Sequence, residues 1–181
     1  MKALLIIDMQ VGSFTEATPR YDTEEVVEKI NALSELYRKN GDKVIFVQHD
    51  GSSENCFVPG TLDWEILPEL VTKDGDLFVG KTANDSFYKT DLDAILKSSG
   101  INEITVTGCA TDFCVEATIQ SALVKDYNIT VIKDGHTTAA DRPHASGKTI
   151  IDHYNWIWEN LSPTNGKIEV LPFDEAILEK V

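Results

Sequence analysis

At 181 residues and 42% hydrophobic side chains, the chain is long enough to bury one sizeable core, and residues 1–181 read as a single domain that needs no staple or structural metal. Its 30 acidic residues against 16 basic ones leave a formal charge of −14, which excludes a nucleic-acid groove or an anionic membrane as partner, since both need clustered Lys and Arg. Cys56, Cys109 and Cys114 lack CxxC spacing and so make neither a disulfide framework nor a zinc site; with no signal-like or membrane-length apolar run, a reducing cytoplasm is the expected setting.

In chain order, apolar runs at 3–7, 43–48, 77–79, 104–107, 129–132 and 167–171 read as strands. Between them, Val26, Val27, Ile30, Leu33 and Leu36 recur at helical spacing, with Thr23 as the expected cap and Gly41 as the stop. Further helices are expected over 91–98, 111–125 and 144–161. Strands such as Leu4-Leu-Ile-Ile7 and Val44-Ile-Phe-Val47 are apolar without alternation, which means burial on both faces. The strand and helix rhythm therefore predicts an α/β fold: a three-layer sandwich with a central parallel sheet and helices on both faces. The segment 50–76, rich in Pro and Gly, reads as a long loop with only a short helical stretch over 64–70. It follows a strand end, where open α/β sheets bind ligands.

Chemistry concentrates where the strand at 104–107 runs into a helix start carrying Cys114, with Thr111 or Asp112 as cap. Unpaired N–H groups and the helix dipole there predict a thiol pKa lowered from about 8.5. Asp8 ends the first strand and Lys81 follows the third, so in a parallel sheet all three meet at the carboxyl edge. A thiol, a carboxylate and an ammonium are the right types for covalent catalysis.

These same residues carry a resemblance. Ile6-Ile-Asp-Met-Gln10, Gly80-Lys81 and Thr107-Gly-Cys-Ala-Thr-Asp-Phe-Cys-Val115 resemble the isochorismatase-like cysteine hydrolases, in that family's order and over most of the chain. The resemblance implies a Rossmann-like sheet and a catalytic triad of Asp8, Lys81 and Cys114. It also implies a cis peptide between Cys109 and Ala110, and an oxyanion hole made by the N–H groups of Ala110 and Cys114. In the amidase members, cysteine attack gives an acyl-thioester, ammonia leaves, and water assisted by the aspartate completes hydrolysis. Nicotinamidases of the same superfamily hold a metal through an Asp-x-His pair and a later histidine. Here Gln48-His-Asp-Gly51 has the wrong order and no histidine follows before His136, so neither metal nor cofactor is expected.

Phe14, His49, Trp64, Asn84 and Phe87 are the expected substrate pocket, flat walls and polar contacts for a small uncharged amide or a ring. A substrate bearing a carboxylate instead calls for an arginine at the mouth, and Arg20 and Arg142 are the candidates. Cys109 reads as packing. Trp156 and Trp158, in Tyr154-Asn-Trp-Ile-Trp158, predict a helix covered on two faces and hence a homo-oligomer. The expected activity is hydrolysis of a C–N bond in a small molecule. Its rivals are vinyl-ether hydrolysis of the isochorismatase type, which does not use a cysteine nucleophile, and a silent member that binds a metabolite or a protein.

Overall fold

The apolar runs pair into one sheet of six parallel strands in the computed structural model, which describes residues 1–178. Its strands are β1 (Ala3–Ile7), β2 (Lys43–His49), β3 (Leu77–Lys81), β4 (Glu103–Cys109), β5 (Asn128–Thr137) and β6 (Ile168–Leu171). They lie in the order β3-β2-β1-β4-β5-β6. Five helices cover the two faces: α1 (Thr23–Lys39), α2 (Leu92–Ser98), α3 (Glu116–Leu123), α4 (Gly147–Glu159) and α5 (Phe173–Leu178). Along β1, Leu4 and Ile6 join a core built with α1 and α5, while Ala3, Leu5 and Ile7 join another built with α2, α3 and α4. Apolar residues on both faces of the strand follow from that double coverage.

From β1 the chain builds outward to β2 and β3, then returns to add β4, β5 and β6 on the other side. The strand order thus reverses between β1 and β4, and a crevice opens at their carboxyl ends. Gly108 sets the closeness of that seam. It pairs with Ile7 at φ 119°, and a methyl group built there overlaps the Ile7 backbone. Gly108→Ala should therefore lose about 3 kcal/mol or more of stability, measured by urea unfolding; a loss under about 1 kcal/mol would show that the seam can open.

Several local details differ from expectation. Thr23 does not cap α1: Asp22 precedes the helix in a left-handed conformation, and the Thr23 hydroxyl turns back to the Arg20 carbonyl. Thr111 and Asp112 do not cap either, because the chain after β4 first makes a π turn, Thr111–Val115, before α3 begins. Helix α4 starts three residues later than the apolar pattern suggests. A two-residue hairpin, Asp141–Arg142 against Ala145–Ser146, occupies the preceding chain, and Ser146 caps the helix through the Thr149 N–H. Residues 64–70 form no helix; the segment 50–76 instead holds short 3-10 turns at Ser52–Glu54 and Leu62–Trp64. Its end is fixed by Arg38, whose Nε and Nη2 clamp Asp76 at 2.9 and 2.7 Å just before β3.

The two tryptophans of α4 part company. Trp158 is buried and donates to Glu116 Oε2 at 2.5 Å, whereas Trp156 is 60% exposed and stacks on His153. No helix among the described residues is long and apolar enough to cross a membrane.

Candidate active site

Three strand ends deliver three functional groups to the crevice. Asp8 leaves β1 with φ 48°, a left-handed conformation that Asp tolerates better than most residues, and its N–H stays bonded to the Val47 carbonyl. Lys81 is the last residue of β3, and Cys114 sits in the π turn that follows β4. The Lys81 ammonium lies 2.7 Å from Asp8 Oδ2. It also donates to Cys114 Sγ at 3.3 Å and to the Ala83 carbonyl at 3.0 Å, so its three protons have three acceptors in a fully buried side chain. The Asp8 carboxylate faces the Cys114 thiol, and Asp8 Oδ1 is buried with no hydrogen bond. Buried carboxylate oxygens are rarely left unpaired for the sake of stability, and an ion pair of this kind adds little to it. In a cleft, the combination makes these residues the candidate functional site.

The electrostatics run against one expectation. Burial and the neighbouring Asp8 carboxylate push the Cys114 thiol up, and the Lys81 ammonium only partly opposes them. The resting group is therefore a thiol, not the thiolate that a helix start alone would favour. Burial also raises the Asp8 pKa above the usual carboxylate range, against the pull of Lys81, which makes Asp8 a better proton acceptor. Cys114 Sγ has one further neighbour, Asn84 Oδ1 at 3.6 Å.

The peptide between Cys109 and Ala110 is cis. Just beyond it, the Phe113 and Val115 N–H groups both donate to the Ala110 carbonyl, which folds the turn around Cys114. A buried network supports this turn from behind. Asn155 donates through Nδ2 to the Lys133 carbonyl, which leaves its Oδ1 to accept from His136 Nε2 at 3.0 Å. His136 Nδ1 must then accept from the Thr111 hydroxyl, at 2.9 Å. His136 is neutral, and burial depresses its pKa to about 4.

A cavity of about 250 Å³ opens onto these groups. Of the five residues expected to wall it, His49 and Asn84 do so, and Phe14, Trp64 and Phe87 do not. Phe14 packs on the α1 core, and Phe87 is buried against Tyr127. Trp64 contributes its carbonyl, which accepts from Gln10 and Gln48 and ties the long loop to the strand ends. The aromatic walls are instead Phe57, brought in by that loop, and Phe113 of the π turn. His49 meets Phe57 edge to face, and burial keeps its pKa below the ordinary value. Arg20 and Arg142, unplaceable from sequence, both line the cavity, with Gln10, Ser13, Cys109 and Ala110. Burial pushes the Cys109 thiol up to about 12, so it is inert at neutral pH. Among the described residues, no three His, Cys, Asp or Glu side chains are grouped to hold a metal ion.

In comparison with known proteins, the isochorismatase domain model matches residues 2–156. The chain belongs to the isochorismatase family. Within the isochorismatase family it is 32% identical to a streptothricin hydrolase of Streptomyces noursei over 149 residues, 81% of this chain and 58% of that protein. It spans only about half the length of the streptothricin hydrolases it matches. It is also 30% identical over 174 residues to a probable inactive nicotinamidase of Arabidopsis thaliana, covering 84% of this chain and 88% of that one. The solved N-carbamoylsarcosine amidase of Thermoplasma acidophilum superposes with a TM-score of 0.71 at 25% identity, covering 96% of each chain.

Proposed function

We propose that this isochorismatase-family protein hydrolyses a C–N bond of a small amide through a thioester on Cys114. The observation that carries this reading is the buried Lys81 ammonium bridging the Asp8 carboxylate and the Cys114 sulfur. Asp8 takes the thiol proton as Sγ attacks the amide carbonyl, and Lys81 stabilises the sulfur while its negative charge develops. The oxyanion of the tetrahedral intermediate lies against the N–H groups of Ala110 and Cys114. Collapse breaks the C–N bond, Asp8 returns its proton to the leaving nitrogen, and the acyl group stays on sulfur. Asp8 then deprotonates a water that attacks the thioester, which releases the acid and restores the thiol. Each step balances without an external proton donor.

Vinyl-ether hydrolysis is the weaker reading, because it gives neither Cys114 nor its contact with Lys81 a task. The names of two relatives, one a hydrolase and one an amidase, lean the same way. The test is ammonia release from a panel of small amides by the wild type and Cys114→Ala. Turnover should vanish in the variant while its far-UV circular dichroism and urea midpoint stay close to the wild type. Hydrolysis surviving in Cys114→Ala would remove the cysteine from the mechanism. Binding of amides without turnover in the wild type would make the protein a silent member of its family.

A further inference from the structure

Beyond its apolar run, β5 is irregular. While β4 advances two residues, from Val106 to Gly108, β5 advances five, from Val131 to His136, before the pairing resumes. Gly135 makes this bulge possible, since a methyl group there would sit 2.7 Å from the Ile132 side chain. Bulges beside active sites re-aim side chains, and this one brings His136 to the base of the π turn. Its Nδ1 meets the Thr111 hydroxyl at 2.9 Å, three residues before Cys114. Just past the end of β5, Thr138 Oγ1 donates to Asp112 Oδ1 at 2.5 Å, so two consecutive residues of the turn are hooked to one strand end.

A line of polar side chains is a poor way to fill a core. Thr111, His136 and Asn155 are each at most 2% exposed, and apolar residues of the same size would be easier to bury. What the polar line has and an apolar one lacks is direction. The Lys133 carbonyl can only accept, so Asn155 must turn Nδ2 toward it; Oδ1 then accepts from His136 Nε2, and His136 Nδ1 accepts from Thr111. Each link has one polarity, and the last link ends on the turn. Trp158 meets the His136 ring edge to face, which fixes its plane. We propose that His136, held by Asn155 and acting through Thr111, is a positioning residue for the hydrolysis: it sets where the π turn places the Cys114 sulfur relative to Lys81 and Asp8. This rests on the cysteine-hydrolase reading above. Misplacing a nucleophile by an ångström slows attack strongly while leaving the walls that bind the substrate as they were.

Thr111→Val removes the last link and nearly keeps the volume, whereas Thr111→Ser keeps the link and loses a buried methyl group. With the amide that the wild type hydrolyses fastest, Thr111→Val should lower kcat by roughly 10–100-fold and leave KM within about twofold. Thr111→Ser should hold kcat within about twofold of the wild type although its urea midpoint falls. A residue that only props the fold would make kcat follow stability in both variants. An unchanged kcat in folded Thr111→Val, or an equal loss in Thr111→Ser, therefore overturns the proposal. Where Thr111→Val does not fold, the wild type decides. Nitrogen NMR of its histidine rings should show His136 protonated on Nε2, and the Nδ1 signal should shift when iodoacetamide alkylates Cys114, because coupling between two sites is reciprocal. An Nδ1–H tautomer, or an Nδ1 signal indifferent to alkylation, overturns the proposal as well. If the wild type releases ammonia from no amide, the cysteine-hydrolase reading fails and this inference fails with it; wild-type turnover that Thr111→Val leaves intact sinks the inference alone.

Discussion

Asp8→Asn should cut amide turnover by about 10²–10⁴-fold and at the same time make Cys114 more reactive toward iodoacetamide at neutral pH. The two effects have opposite signs because Asp8 has two opposed influences. On the proposed mechanism it accepts the thiol proton during attack as a base, while as a charge it helps burial to keep that proton on sulfur at rest. Removing the charge leaves the Lys81 ammonium, 3.3 Å from Sγ, as the dominant neighbour, so the thiol pKa moves down. Lys81→Ala should do the reverse, moving the alkylation profile to higher pH while turnover also falls. Rates of alkylation and ammonia release across pH for the three proteins provide the check. If Asp8→Asn slows both reactions together, Asp8 merely holds the fold of the crevice, and the proton-transfer role is lost.

The second large effect is an acid instability centred on His136. Its folded pKa of about 4 lies below the ordinary 6.5, so the unfolded chain binds the extra proton first as the pH drops. The stability linked to this residue is present in full above about pH 6.5, falls as the pH approaches 4, and is gone below it. The gap corresponds to about 3 kcal/mol. Asp8, with its pKa raised, acts in the other direction, since its protonation favours the folded form. Comparing urea unfolding of the wild type and His136→Gln between pH 7 and 4 cancels that contribution. The variant should begin less stable, having lost the Thr111 and Asn155 bonds, and show a flatter profile. Parallel profiles would mean that His136 titrates normally.

Much of the architecture was legible because buried parallel strands have no polar side to hide. Runs such as Leu4-Leu-Ile-Ile7 locate most strands to within a residue or two, β5 excepted, and a candidate residue at a strand's end can be placed with it. The meeting of Asp8, Lys81 and Cys114 was readable for that reason. The walls were not. Phe57 and Phe113 differ from Phe14 and Phe87 only in which way a loop or a turn aims them, and no periodicity encodes that direction. Arg20 and Arg142 were recognisable as charges worth placing, but that both line the cavity, and that Asp112 faces Arg142, required the fold. The lowered thiol pKa expected at a helix start was a fair local inference defeated by tertiary structure, first the burial of the sulfur and then the Asp8 carboxylate brought beside it from the end of β1. His136 was seen only as a histidine without ligand spacing, because nothing in Asp134-Gly-His136 announces that β5 continues beyond its apolar run.

A sulfur held protonated at rest also changes what the molecule can survive. Peroxides and disulfides are attacked by thiolates, and their damage follows the thiolate fraction. With Cys109 held up near 12 by burial, and Cys114 raised by burial and then by the Asp8 carboxylate, the crevice offers an oxidant protonated sulfur rather than thiolate. On the proposed mechanism, the closed crevice that shields both sulfurs from oxidants also holds the carboxylate that would release one of them for attack.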